Sequence, residues 1–233
     1  MIVTIDGPAG SGKSTTARRC ADRLGFVYLD TGAMYRAVAL GFLRADVDPA
    51  QGDPEPVLAS LTVEVEYEEK DMHVFLGGED VTTQIRTSEV GTMASEISSF
   101  PAVRERMVED QRRIGFQKQE TYGGVILDGR DTGTVVFPEA EVKVFMVADV
   151  EERARRRQQE YAAEGKDVPF EEVRREIEER DRRDRTRDLA PLRRADDALT
   201  LDTTDRSIEE QVAFVVDRVK EVRASGTSTE GPE

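Results

Sequence analysis

The 233-residue sequence predicts an α/β fold, a five-stranded parallel sheet flanked by helices, with a small antiparallel insert and a helical lid. Three observations carry that expectation. Short apolar runs recur at residues 2–5, 26–29, 125–127, 142–147 and 198–201, mostly β-branched or aromatic and bounded by polar, Gly or Pro residues. Helix-compatible stretches alternate with them, the pattern of a doubly wound sheet. Between residues 62 and 96 that rhythm is interrupted by strict apolar–polar alternation.

The first run leads straight into Gly7-Pro8-Ala9-Gly10-Ser11-Gly12-Lys13-Ser14-Thr15, and a helix-compatible stretch at 14–23 follows. The segment fits G-x-x-x-x-G-K-[ST] without a mismatch, in the required strand–loop–helix setting. Glycines let the backbone wrap closely and aim N–H groups at phosphate oxygens. The helix N-terminus adds a positive dipole end. Lys13 is expected to reach the β- and γ-phosphates of a nucleoside triphosphate, and the Ser14 hydroxyl to ligate Mg²⁺. The loop alone does not say where the γ-phosphate goes.

The second run, 26–29, is followed by the insert. Residues 62–68 read as a half-exposed strand, with His73-Val74-Phe75-Leu76 and the Gly77-Gly78 turn completing a hairpin. Residues 49–56, with three prolines at 49, 54 and 56, form the loop leading to it. The third run ends in Asp128-Gly129-Arg130-Asp131. A carboxylate at a strand end beside the phosphate loop is where Mg²⁺ is steadied in such folds, so Asp128 is the metal-side candidate. After the fourth run come charge-rich helices at 150–159 and 170–187, with a break at 161–169 that suits a lid. Most arginines of the second helix belong to solvated i,i+4 pairs. Arg180, Asp184 and Arg187 share one helix face and would suit a ribose hydroxyl and a phosphate. Arg36, Arg104 and Arg130 are further candidates for anion binding by planar guanidinium groups. Residues 224–233 are Ser/Thr/Gly/Pro/Glu-rich and read as a disordered tail.

Composition narrows the function. The net charge of -15 disfavours a nucleic-acid polymer or an anionic membrane as partner. No apolar run approaches membrane-spanning length. The single cysteine, Cys20, fits a reducing compartment, and with the strand-like run 2–5 at the start no signal peptide is expected, so the cytoplasm is the expected location. The only histidine, His73, lies in the insert hairpin and reads as structural. No exposed heptad or large apolar stripe argues against a monomer.

Several motifs together, Asp30-Thr31-Gly32-Ala33-Met34-Tyr35-Arg36, Ile85-Arg86-Thr87, Asp128 through Pro138 and Arg180 through Arg185, resemble the bacterial cytidylate kinases in order and spacing over about residues 1–218. The resemblance implies transfer of the γ-phosphate of ATP to CMP or dCMP. It implies that Thr31, Tyr35 and Arg36 line the acceptor site and that Arg36, Arg130 and Arg187 grip the acceptor phosphate and the phosphoryl group in flight. Ser95, Arg104 and Asp131 would read the cytosine edge, and Arg180 and Asp184 the ribose. Arg153 and Arg157 would close over ATP from the lid. The implied organisation is one kinase domain, 1–223. Its core is 1–61, 97–154 and 188–223, with an acceptor-binding insert at about 62–96 and a lid at about 155–187. Rival readings are a kinase for another nucleotide or small metabolite, or a nucleotide switch. The guanine-reading N-K-x-D motif that a switch needs is absent from the sequence.

Overall fold

A computed structural model describes residues 1–48 and 53–226. Its core is a five-stranded sheet in the order β2-β6-β1-β7-β8, from β1 (Ile2–Asp6), β2 (Val27–Asp30), β6 (Val125–Gly129), β7 (Val142–Val147) and β8 (Leu199–Asp202). Every pairing is parallel. Burial on both faces explains the continuous apolar runs. Val125 and Leu127 face one layer while Ile126, Val3 and Ile5 face the other.

Helices cover both faces. On one side α1 (Lys13–Leu24) and α8 (Ile208–Gly226) pack through Ala17, Cys20, Val212, Val215 and Val219. On the other lie α2 (Thr31–Ala45), α3 (Glu55–Ser60), α4 (Ser88–Ile97) and α5 (Pro101–Tyr122). Local chemistry sets their ends. Asp30 caps α2 by accepting from the Ala33 N–H, and Thr87 caps α4 by accepting from Val90. Pro101 opens α5, where its missing N–H costs nothing. Beyond β7, α6 (Val150–Ala163) and α7 (Phe170–Thr186) form a hairpin with a small core of Ala154, Val173 and Ile177.

The insert is a three-stranded antiparallel sheet, β3 (Val63–Glu68), β4 (Asp71–Leu76) and β5 (Glu79–Asp80), followed by a 3₁₀ turn at Gln84–Arg86. Its apolar face, Val63, Val65, Val74 and Leu76, belongs to the same core cluster as α2 and α5. The buried Asp110 holds Arg106 and Arg113, and these donate to the carbonyls of Leu58, Leu61 and Val63 at the root of the hairpin. Tyr67 Oη–H donates to the Tyr28 carbonyl on β2. The hairpin is therefore bolted to the core.

Two sequence expectations are corrected in detail. Helix α6 runs through Tyr161 to Ala163, so the break between the two lid helices is 164–169. Helix α8 continues to Gly226, past the expected start of the tail at 224, because Val212, Val215, Val216 and Val219 keep it packed. The rest of that tail, 227–233, and residues 49–52 of the expected loop lie outside the described residues.

Candidate active site

Parallel register brings chemistry to one edge. Asp30 pairs with Asp128, and Asp6 with Gly129, so three carboxylates end the adjacent strands β2, β6 and β1. The C-terminal edge of such a sheet is where ligands bind in this architecture. Here the edge opens into a cleft of about 380 Å³.

The phosphate loop forms one wall. Gly7 has φ 154, and a Cβ there would stand 2.3 Å from the Met146 carbonyl oxygen, so only glycine lets the loop lie against β7. Lys13, 5% exposed, donates from Nζ to the Pro8 carbonyl at 2.7 Å. Burial, with Arg130 nearby, brings its ammonium down to about 7. A polyphosphate beside it would oppose that shift.

Asp128 sits at the centre. Its carboxylate accepts from Ser14 Oγ at 2.8 Å and Tyr28 Oη at 2.6 Å, and its carbonyl accepts from Thr31 Oγ1 at 2.6 Å. Burial, then the charge of Asp30, raises its pKa. Ser14 and Asp128 are hard oxygen donors on one spot, which suits Mg²⁺. Among the described residues no group of three or more His, Cys, Asp or Glu could hold a metal. A Mg²⁺ at this spot would thus take most of its ligands from phosphate and water, as that ion commonly does.

The opposite wall is made of arginines. Arg130 Nε donates to Asp184 at 2.6 Å. Burial opposes the charge of both groups, and the pairing outweighs it: Arg130 is held above its ordinary pKa and Asp184 below. Asp131 ion-pairs with Arg104 through one oxygen and faces Arg187 at 3.5 Å through the other. Arg36 and Arg180 also line the cleft, and no ion pair holds either of them among the described residues. Arg180 Nε is buried without a hydrogen-bond partner. Burial, then Arg130, lowers its pKa to about 10. Half-buried cations lining a cavity are an arrangement that anions relieve.

Such a wall opposite a phosphate loop is what a nucleotide kinase needs, and relatedness narrows the class. The family profile described as "Cytidylate kinase" matches residues 3–221. The chain is 67% identical over 227 residues to a cytidylate kinase of Salinibacter ruber, covering 97% of this chain and 100% of that one. It is 49% identical to the cytidylate kinase of Chloroherpeton thalassium, covering 95% and 94%. The chain belongs to the cytidylate kinase family. An uncharacterized protein from Eubacterium ventriosum of solved structure superposes with a TM-score of 0.50 at 11% identity, covering 95% of this chain and 98% of that one, and speaks to fold alone.

Most residues singled out from sequence meet in this kinase's cleft. Ala9, Gly10, Gly12, Lys13, Ser14, Thr15, Thr31, Tyr35, Arg36, Ser95, Arg104, Asp128, Arg130, Asp131, Arg157, Arg180, Asp184 and Arg187 all line it. Arg153 does not. The Arg153 guanidinium, on a residue 4% exposed, is committed to the carbonyls of Ala148 and Ala9 and to Asp181 at 2.8 Å. It ties α6, the phosphate loop and α7 together as a strut, which corrects its expected place over ATP. The His73 ring lies 3.1 Å from Asp80 on the hairpin, outside the residues lining the cleft.

Sequence reasoning missed other contributors. Tyr28 orients Asp128. Arg86 reaches Asp30 at 3.3 Å. Tyr161 lies under Arg157 at 4.5 Å and donates to Glu176 at 3.1 Å. Of these, only Arg86 carried a sequence signal, within Ile85-Arg86-Thr87.

Proposed function

We propose that the protein transfers the γ-phosphoryl group of ATP to CMP or dCMP, giving ADP and CDP or dCDP, with Mg²⁺ as cofactor. The observation that supports this best is a single cleft joining a complete phosphate loop to an arginine wall held by Asp131 and Asp184. One anion-binding wall serves the donor and the other the acceptor.

An oxygen of the acceptor phosphate attacks the γ-phosphorus. The bond from the γ-phosphorus to its bridging oxygen breaks, and ADP leaves with that electron pair. The attacking oxygen is already anionic near neutral pH, so no protein base is required. The residues position and neutralise. Lys13 and the loop N–H groups hold the β- and γ-phosphates. Arg36, Arg130 and Arg187 gather the acceptor phosphate and the transferring group. Arg104, Asp131 and Ser95 face the base, while Arg180 and Asp184 face the ribose. Ser14 and Asp128 would hold Mg²⁺, which supplies charge neutralisation of the phosphates. Helices α6 and α7 close as a lid and keep out water. The insert contributes through Arg86 and α4, since its hairpin is fixed to the core.

We place this activity in pyrimidine nucleotide metabolism in the cytoplasm and read the protein as a monomer without nucleic-acid or membrane partners. Among the described residues no helix is long and apolar enough to cross a membrane, and the chain carries a net charge of -15. The test is coupled ADP release with Mg-ATP and each nucleoside monophosphate. Fast release with CMP or dCMP, slower with UMP and near background with AMP and GMP, is the expected result. No acceleration by any monophosphate would overturn the reading.

A further inference from the structure

Asp6 ends β1, one residue before the phosphate loop, and the mechanism above gives it no role. It is a charged side chain only 4% exposed. None of its hydrogen-bond partners among the described residues lies in the loop it precedes. Oδ1 accepts from the Thr132 N–H at 2.9 Å and the Thr132 hydroxyl at 2.8 Å, and Oδ2 accepts from the Gly133 N–H at 2.7 Å. Among the described residues every hydrogen-bond donor to this carboxylate therefore lies in the segment that follows Arg130 and Asp131.

That segment is unusual. Thr132–Val136 is a single π turn, closed by the Phe137 N–H to the Thr132 carbonyl at 2.7 Å and the Val136 N–H to the Asp131 carbonyl at 3.2 Å. Isolated π turns are rare and concentrate at functional sites. The turn nests closely against the strand ends. A Cβ at Gly129 would meet Thr132 Cγ2 at 2.5 Å, and one at Gly133 would meet Thr4 Oγ1 at 2.8 Å. Asp131 stands at the head of the turn, and its carboxylate holds Arg104 and Arg187. The backbone that aims Asp131 is thus pinned on its following residue by a buried anion from another strand.

We propose that Asp6 is a positioning residue for the acceptor site, setting affinity and base discrimination for the monophosphate while leaving donor binding nearly untouched. The proposal rests on the function read above. It assigns opposite duties to two sequence neighbours: Gly7 begins the donor loop, and Asp6 holds the acceptor reader. Asp6→Asn sharpens the test, because one amide hydrogen-bond donor must then confront the N–H of Thr132 or of Gly133.

The experiment is calorimetric titration of CMP, UMP and Mg-ATP, each separately, into the wild-type protein, Asp6→Asn and Thr132→Val. Thr132→Val removes only the hydroxyl bond and spares both amide bonds, so it remains informative if Asp6→Asn does not fold. In Asp6→Asn, CMP affinity falls by about tenfold or more, the CMP-over-UMP ratio shrinks, and Mg-ATP affinity stays within about twofold. Thr132→Val shows the same pattern at about twofold to fivefold. Equal weakening of CMP and Mg-ATP, or no change in CMP binding, would overturn the proposal. A wild-type protein that binds Mg-ATP but not CMP would overturn the functional reading and this inference with it. A wild-type protein that binds CMP, with variants showing no split between ligands, would overturn the inference alone.

Discussion

One wall of the cleft is a contiguous loop, with Ala9, Gly10 and Gly12 through Thr15 lining it; across from it stand Arg104, Arg130, Asp131, Arg180, Asp184 and Arg187, drawn from distant parts of the chain. In the proposed function the two walls hold the same chemical group by different means. The loop wall would use N–H groups and one lysine, and its position comes from Gly7, which tolerates φ 154 and close contact with β7. The arginine wall must first solve a problem of its own. Four like charges crowd together in partial burial, and Asp131 and Asp184 keep Arg104, Arg187 and Arg130 in register. The difference teaches where each wall is fragile. A backbone wall fails when a Cβ intrudes. A side-chain wall fails when a single carboxylate or guanidinium is lost.

The largest effects are expected on the arginine wall. Arg130→Ala or Arg187→Ala should cut CMP-dependent turnover by about a thousandfold or more, the scale of an arginine that stabilises phosphoryl transfer. Coupled ADP release measures it, and wild-type-like turnover in either folded variant removes that arginine from its role. Asp131→Ala should lower the preference for CMP over UMP by about tenfold to a hundredfold, from loss of charge-assisted hydrogen bonds, and change the KM for ATP much less. An unchanged preference would contradict base reading at Asp131.

The loop wall should answer mainly in stability and donor binding. Gly7→Ala forces a side chain into the space held by the Met146 carbonyl, with an expected loss of about 1–3 kcal/mol. Denaturant unfolding checks this, and a fully stable Gly7→Ala would show that the loop can retreat from β7.

A pH dependence is expected at the seam between the walls. Burial pushes the Asp6 carboxyl up to about 6, against the hydrogen bonds from Gly133 and Thr132. In the unfolded chain an aspartate titrates near 3.9, so between these values the folded protein binds more protons. Stability from this group therefore falls as pH rises from about 4 to about 6. Relative to Asp6→Asn, which does not titrate, the wild-type protein should lose stability over that interval and then run parallel to it. Unfolding midpoints at pH 4, 5, 6 and 7 read this out; a gap independent of pH would contradict the shift.

The same contrast explains what the sequence made legible. The loop wall is contiguous, so Gly7 through Thr15 could be read as one motif, and the inner strands were visible because burial on both faces writes mostly apolar runs, whereas in β8 at the sheet edge only Leu201 is buried. The arginine wall is assembled from distant residues. Helical spacing put Arg180 and Asp184 on one face of α7, but the helix ends at Thr186 and the expected third member, Arg187, follows it in extended backbone; only folding brings Asp184 to Arg130, 54 positions earlier. Arg153 carried the same composition signal as Arg157, and nothing local distinguishes a strut from a cavity residue. Tyr28 lay hidden inside an apolar run, where a phenol reads as core. The hairpin's alternation revealed a half-exposed sheet but not that its apolar face would merge with the core under α2.

The shared carboxylate of Asp131 has an evolutionary consequence. One side chain anchors Arg104, assigned to the base, and Arg187, assigned to the phosphates. Drift toward a different nucleobase at position 131 would therefore degrade the catalytic step in the same generation, and selection would discard it. Changes of substrate range in this lineage should arise instead on α4, around Gly91 and Ser95, which line the cleft and hold none of the wall's arginines. A laboratory selection for uridine monophosphate turnover would be expected to retrace that route.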